Sequence, residues 1–171
     1  MTVVNTAGRA LGALLGVGVL GVAYAAGIER NAFTLRRFDL PVLPAGARPV
    51  RILQVADIHL VPGQDRKVVW LRGLADLEPD LVVNTGDNLS HVEAVPPLLR
   101  ALEPLLERPG VFVLGSNDIY APTFRNPARY LTASYATAQH HRPRLPTDRL
   151  VEGLAAGGWT DLDNVRTTMS V

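Results

Sequence analysis

Three short apolar runs, each ending abruptly in polar residues, constrain this chain more than anything else in it. Residues 50–56 end in Asp57 and His59. Leu81-Val82-Val83-Asn84 ends in Gly86, Asp87 and Asn88. Val111-Phe112-Val113-Leu114 ends in Gly115, Ser116, Asn117 and Asp118. Short apolar runs bounded by turn residues read as buried strands of a parallel sheet. Between them, Val68, Leu71, Leu74 and Leu77 predict an amphipathic helix over residues 66–77, stopped by Glu78-Pro79-Asp80. Leu98, Leu99, Leu102, Leu105 and Leu106 predict a second helix over about 92–106. Pro96-Pro97 suits its first turns, Pro104 predicts a kink or an early stop, and Arg108-Pro109-Gly110 ends it. Strand alternating with helix implies right-handed β-α-β units, a parallel sheet and an α/β fold.

The remaining segments are less regular. Phe33, Leu35, Phe38 and Leu40 suggest an edge strand, followed by a stiff connector through Pro41, Pro44 and Pro49. A loop with a short helix near 128–138 is expected after the third strand. A further helix over 149–156 starts from Pro146-Thr147-Asp148 and closes at Gly157-Gly158. Trp159 to Leu162 and Val165 to Val171 have strand character, and Asp163-Asn164 offers a hairpin turn between them.

In open α/β sheets the chemistry sits outside the carboxyl ends of the strands. Parallel neighbours put Asp57 and His59, Asp87 and Asn88, and Asn117 and Asp118 on one edge. Carboxylates gathered there repel one another unless a cation lies between them. An Asp-x-His pair offers an oxygen and an imidazole nitrogen to one ion. The glycines at 86 and 115 allow a sharp turn or a close approach to a ligand.

Other chemistries find little support. The chain has 171 residues, 47% hydrophobic and 19% charged, which suits one packed domain rather than a disordered chain. The formal net charge is +1 and no basic stripe with interleaved aromatics occurs, so no nucleic-acid partner is indicated. Without cysteine there are no disulfides, thiolate metal sites or thiol nucleophiles. No Gly-rich phosphate loop follows any of the strands.

Residues 10–28 carry no charge, with Arg9 before them and Glu29-Arg30 after. At ~1.5 Å per residue they could just cross a hydrocarbon core of about 30 Å. Two expectations stay open: an uncleaved N-terminal membrane helix, or a signal peptide cut near Ala23-Tyr24-Ala25, which would give a secreted protein. The first is favoured, with residues 1–30 as the membrane or signal segment and 31–171 as the domain. Arg30, Arg36 and Arg37 outnumber Arg9 plus the amino terminus, which weakly places the downstream side inside; signal-peptide logic says the opposite.

Asp57-Ile58-His59, Gly86-Asp87-Asn88 and Gly115-Ser116-Asn117-Asp118 resemble the first three motifs of the calcineurin-like metallophosphoesterases. That family's pattern is Asp-x-His, Gly-Asp, then Gly-Asn-His-Asp or Glu. The resemblance covers roughly residues 51–120, and the apolar leader is similar to that of membrane-associated bacterial members. It implies the β-α-β-α-β half of an αββα sandwich. It also implies two divalent ions (Mn, Fe or Zn) and hydrolysis of a phosphate-ester substrate. Asp57 and His59 would bind the first ion and Asp87 would bridge both. In the third motif, a gapless match puts Ser116 in the place of the ligand Asn and Asn117 in that of the catalytic His. A shift of one residue keeps Asn117 as a metal ligand and puts Asp118 in the His place. The shifted register is favoured because an amide oxygen is a better ligand than a neutral hydroxyl. Asn117 and Asp118 are then the catalytic candidates, and the usual His is absent. Nothing after Asp118 matches the second-half ligands of the family. His91 lies close to the second motif, and His140-His141 reads as a solvated pair. Tyr130, Tyr135 and the arginines up to Arg144 could line the mouth of the site. The expectation is an N-terminal half of a longer enzyme, holding part of its site.

Overall fold

The computed structural model describes residues 2–123 and 142–169. The expected helix near 128–138, together with Tyr130, Tyr135, His140 and His141, lies outside the described residues. The chain divides into two compact units, Met1–Pro41 and Val42–Val171.

In the first unit, helix α1 (Thr2–Gly27) contains an apolar window, Gly8–Ala25, long enough to cross a membrane. Its 26 residues rise about 39 Å. Leu11, Leu14, Val17, Leu20 and Val22 are all exposed, a distribution that suits hydrocarbon surroundings better than water. A signal sequence and a membrane anchor share these features. The Asn31 side chain donates to the carbonyl of Gly27 and closes the helix end. Residues 32–40 form no strand, in contrast to the sequence expectation. Phe38 and Leu40 stay exposed, and a single extended segment without a partner strand gains no ladder hydrogen bonds.

The second unit holds a parallel sheet of four strands: β1 (Ile52–Val55), β2 (Leu81–Asn84), β3 (Gly110–Phe112) and β4 (Thr160–Asp161), in sequence order. Helix α2 (Asp65–Gly73), continued by a 3-10 turn (Leu74–Leu77), links β1 to β2, and α3 (Val95–Leu106) links β2 to β3. A four-residue helix, α4 (Ser116–Ile119), follows β3, and α5 (Thr147–Ala156) leads into β4. When strands are laid down in order, right-handed crossovers put every helix on the same face. Accordingly α2 packs on α3 and α3 on α5. Leu53, Val55, Val82 and Phe112 point from the sheet into this layer, against Leu98, Leu102, Leu105, Leu150 and Leu154. Ile52 and Gln54, on the opposite face, are exposed. β1 therefore alternates buried and exposed rather than being buried on both sides as its apolar run suggested.

Two local features explain departures from the sequence expectation. Pro104 does not stop α3, which continues to Leu106. Proline removes the N–H that would bond the carbonyl four residues back, that of Arg100. The Arg72 guanidinium donates to this carbonyl instead, and also pairs with Glu103 at 2.9 Å. The second departure is β4. It pairs with β3 in parallel and does not open a hairpin; residues 165–169 form no strand. A tight two-residue hairpin of type I′ needs positive φ at both central residues, but only Asn164 has it. The Asp163 carboxylate instead accepts from the Leu114 N–H and ties the turn to the end of β3.

Asp80 joins the start of β1 to the approach to β2. Its carboxylate accepts from the Arg51 N–H at 2.7 Å and from Arg48 at 3.0 Å, and these bonds, led by that from Arg51, hold its pKa below the ordinary carboxylate value. Gly110 opens β3 directly under the buried Trp159; a Cβ there would lie 2.3 Å from the indole nitrogen. Gly110→Ala is therefore expected to destabilise the domain by about 1–3 kcal/mol through overpacking, measured by urea unfolding of the full chain in detergent micelles. An unchanged midpoint would show that Trp159 can move aside at no cost.

Candidate metal centre

The site forms because the loops after β1 and β2 stay zipped together beyond the last sheet pair, Val55 with Asn84. Thr85 N–H donates to the Val55 carbonyl, Asp57 N–H to Gly86, His59 N–H to Asp87 and Leu60 N–H to Asn88, at 2.8 to 3.1 Å. The two loops advance together with their side chains held at fixed offsets. This arrangement bends the backbone into the left-handed region at Asp57 (φ 51°), His59 (φ 45°) and Asp87 (φ 56°). Asp and His tolerate that region better than most residues, and such conformations gather where a site must be held in one shape.

The third loop closes against them. A Cβ on Gly86 would lie 2.4 Å from the Gly115 nitrogen, and one on Gly115 would lie 2.0 Å from Asp87 Oδ1. Both glycines are required by this approach, and Gly86 also has φ 88°. The approach lets Asn117 grip Asp87: its backbone N–H donates to Oδ1 at 2.9 Å and its side-chain Nδ2 to Oδ2 at 2.8 Å.

Asp57, His59 and Asp87 converge. One donor atom from each lies within 4.8 Å of the others. His59 Nε2 stands 3.8 Å from Asp57 Oδ1 and 3.9 Å from Asp87 Oδ2. These gaps are too wide for hydrogen bonds. They approach the maximum, about 4.2 Å, for two donors each ~2.1 Å from one ion. The Ser90 hydroxyl, 3.2 Å from His59 Nδ1, holds the ring so that Nε2 faces the carboxylates. Two carboxylates and an imidazole, with Asp57 largely open to solvent, fit a borderline divalent ion reachable by a substrate.

The other expected residues are placed differently. Asn88 is fully buried; its amide turns inward to Asn84 and Asp118 rather than toward the cluster. Asp118 is also fully buried. Its carboxylate accepts from the backbone N–H groups of Asp87, Asn88, Leu89 and Gly115 and from the Asn88 amide, at 2.7 to 3.3 Å. Burial raises its pKa above the ordinary carboxylate value, while the four backbone donors pull it down. This environment fastens the loops together. Asn117 Oδ1 accepts from Arg142 at 2.9 Å. Ser116 is exposed at the start of α4. His91 lies in the turn before α3, where its Nδ1 accepts from the Glu93 N–H.

One contributor escaped the sequence reading, and another was marked there only as one of the arginines able to line the mouth of the site. Ser90, three residues past Asp87, became visible only once loop pairing set it under the His59 ring. Arg142 comes from 25 residues beyond Asn117, and no local pattern marks it. Its Nε donates to the Ala121 carbonyl and its second terminal nitrogen to Tyr120, while the guanidinium lies 5.8 Å from the Tyr120 ring.

Replacing Asp118 with Ala orphans four backbone donors, two of them in buried bonds, so Asp118→Ala is expected to cost about 3 kcal/mol in chemical denaturation. Ser90→Ala is expected to leave the fold intact and to lower Mn affinity about 10–100-fold in equilibrium dialysis, as for other groups that orient a ligating imidazole. Equal Mn affinity in Ser90→Ala would mean that the ring is held by other contacts.

A family model described as calcineurin-like phosphoesterase matches residues 50–168. No curated protein and no solved structure matches the chain. The match spans the whole four-stranded sheet and the three loops that carry Asp57, His59, Asp87 and Asn117. With β-α-β-α-β order and an Asp-His-Asp cluster at the strand ends, the chain belongs to the calcineurin-like phosphoesterase family.

Proposed function

We propose that this chain carries the metal-binding part of a metal-dependent phosphoesterase, acting on phosphomonoesters or phosphodiesters, with a divalent ion (Mn, Fe or Zn) held by Asp57, His59 and Asp87. The convergence of those three donors carries the proposal. Family membership supports a phosphate-ester substrate. A divalent ion held there would supply an acidified water and polarise phosphoryl oxygens, so that no Ser or Cys nucleophile would be required.

The chain's own residues supply the geometry. Asp57 and His59, locked by loop pairing, present an oxygen and a nitrogen at one edge of the cluster. Asp87 is fixed by both nitrogens of Asn117 and keeps Oδ2 turned toward His59. Asp118 is assigned a positioning role, since it sets the backbone of Asp87 and Gly115 and is remote from solvent. A second ion, as the family resemblance implies, would share Asp87 and need the oxygen of Asn117. In place of the family's His, Arg142, which reaches the cluster through Asn117, is the group assigned to meet a phosphoryl charge.

The N-terminal helix supports attachment to the cell membrane by one span, or export if it is cleaved as a signal sequence. The occupied oxygen of Asn117 favours one other reading, a domain that binds metal without turnover.

Titration of the metal-stripped full chain in detergent micelles tests the site. Mn is expected to bind, and Asp57→Asn or His59→Ala to weaken it more than the ~10–100-fold typical of outer groups. Turnover of an aryl phosphodiester should appear with Mn and vanish on chelation. A chain that takes up none of Mn, Fe or Zn would sink the proposal; uptake without turnover on any phosphate ester would select the non-catalytic reading.

A further inference from the structure

Asn117 lies between two charges. Its Nδ2 donates to Asp87 Oδ2, the oxygen that faces His59, and its Oδ1 accepts from the Arg142 guanidinium. The two contacts demand opposite ends of the amide, so each fixes its orientation and polarises the other. The amide oxygen that a second metal would use is therefore already taken by a cation. Arg142 is held there by three acceptors: Asn117 Oδ1, the Tyr120 carbonyl and the Ala121 carbonyl. It also lies against the Tyr120 ring, as does Arg144, 5.9 Å away on the other strand of a short antiparallel bridge between Tyr120 and Arg144.

The charge balance points the same way. Asp57 and Asp87 together match one divalent ion. A second divalent ion would have to displace a guanidinium that cannot lose its proton, or sit beside it at like-charge distance. Among the described residues no further group of three metal-capable side chains adjoins the first.

We infer that this chain binds one metal ion rather than two, and that Arg142, seated on Asn117, supplies the second positive charge and recognises the phosphate group. This rests on the metal reading above. Guanidinium suits the task because Nε and Nη2 hold the three acceptors while Nη1, which none of them takes, can donate to a phosphate oxygen. It contributes binding and charge and needs no proton transfer.

The test uses the full chain in detergent micelles, Mn as the metal and inorganic phosphate as the ligand. At saturation, one Mn per chain is expected, with the paramagnetic resonance spectrum of an isolated ion. With one Mn bound per chain, phosphate affinity is expected to fall at least ~10-fold in Arg142→Ala. Arg142→Gln keeps an N–H donor for Asn117 and removes the charge, so it carries the test if the alanine variant does not fold; the same loss is expected. Two Mn per chain with an exchange-coupled spectrum would overturn the inference and leave the metal reading standing. Unchanged phosphate affinity in a folded Arg142 variant would overturn the role of Arg142. Absence of any bound Mn, Fe or Zn would overturn the metal reading itself.

Discussion

The site depends on one buried carboxylate. Asp118 collects the N–H groups of three consecutive residues after β2 and of Gly115 after β3. Those donors point away from any regular ladder, and without an acceptor each would be costly to bury. The carboxylate satisfies them together and fixes the backbone of Asp87 relative to the third loop. Asn84 and Asn88 extend the network inward: Asn84 accepts from the Gly86 N–H and donates to Asn88. Asp57, His59 and Asp87 are thus presented by loops whose polar interior is bonded, which gives those loops the definition of secondary structure.

The same network explains the tolerance of strain. Left-handed backbone at Asp57, His59 and Asp87 costs on the order of 1 kcal/mol or more at each residue. Inter-loop hydrogen bonds and the Asp118 clamp over-determine the path and hold the strained geometry in place. Gly86 and Gly115 serve a different purpose, since their missing side chains let the second and third loops touch and bring Asn117 onto Asp87. Removing water from the polar interior strengthens these bonds, while Asp57 stays open to solvent at the rim.

Much of the fold was legible because strand length, helical spacing and breakers speak locally. β2 falls where its apolar run lies, and α2, α3 and α5 fall within a few residues of their periodic leucines. That Asp57, His59 and Asp87 come together was legible because parallel strands put successive carboxyl ends on one edge. The misplaced features share a cause: each depends on a partner distant in sequence. The stretch around Phe38 has no neighbouring strand among the described residues. α3 passes Pro104 because Arg72 takes the freed carbonyl. The hairpin at Asp163 gave way to a bond with Leu114. Ser90 and Arg142 join the site through loop pairing that no local window contains.

By itself, then, the sequence determined the alternation of strand and helix, the apolar leader and the three donors at the strand ends. These follow from side-chain period and from the polarity of parallel strands. Only the tertiary structure decided what each polar side chain does. Asp118 and Asn117 are adjacent residues of similar chemistry, yet one is buried as a clamp and the other joins the Asp87 carboxylate to a guanidinium. A carboxylate acts as ligand or fastener according to which donors surround it, and those donors here come from loops up to 31 residues away in the chain.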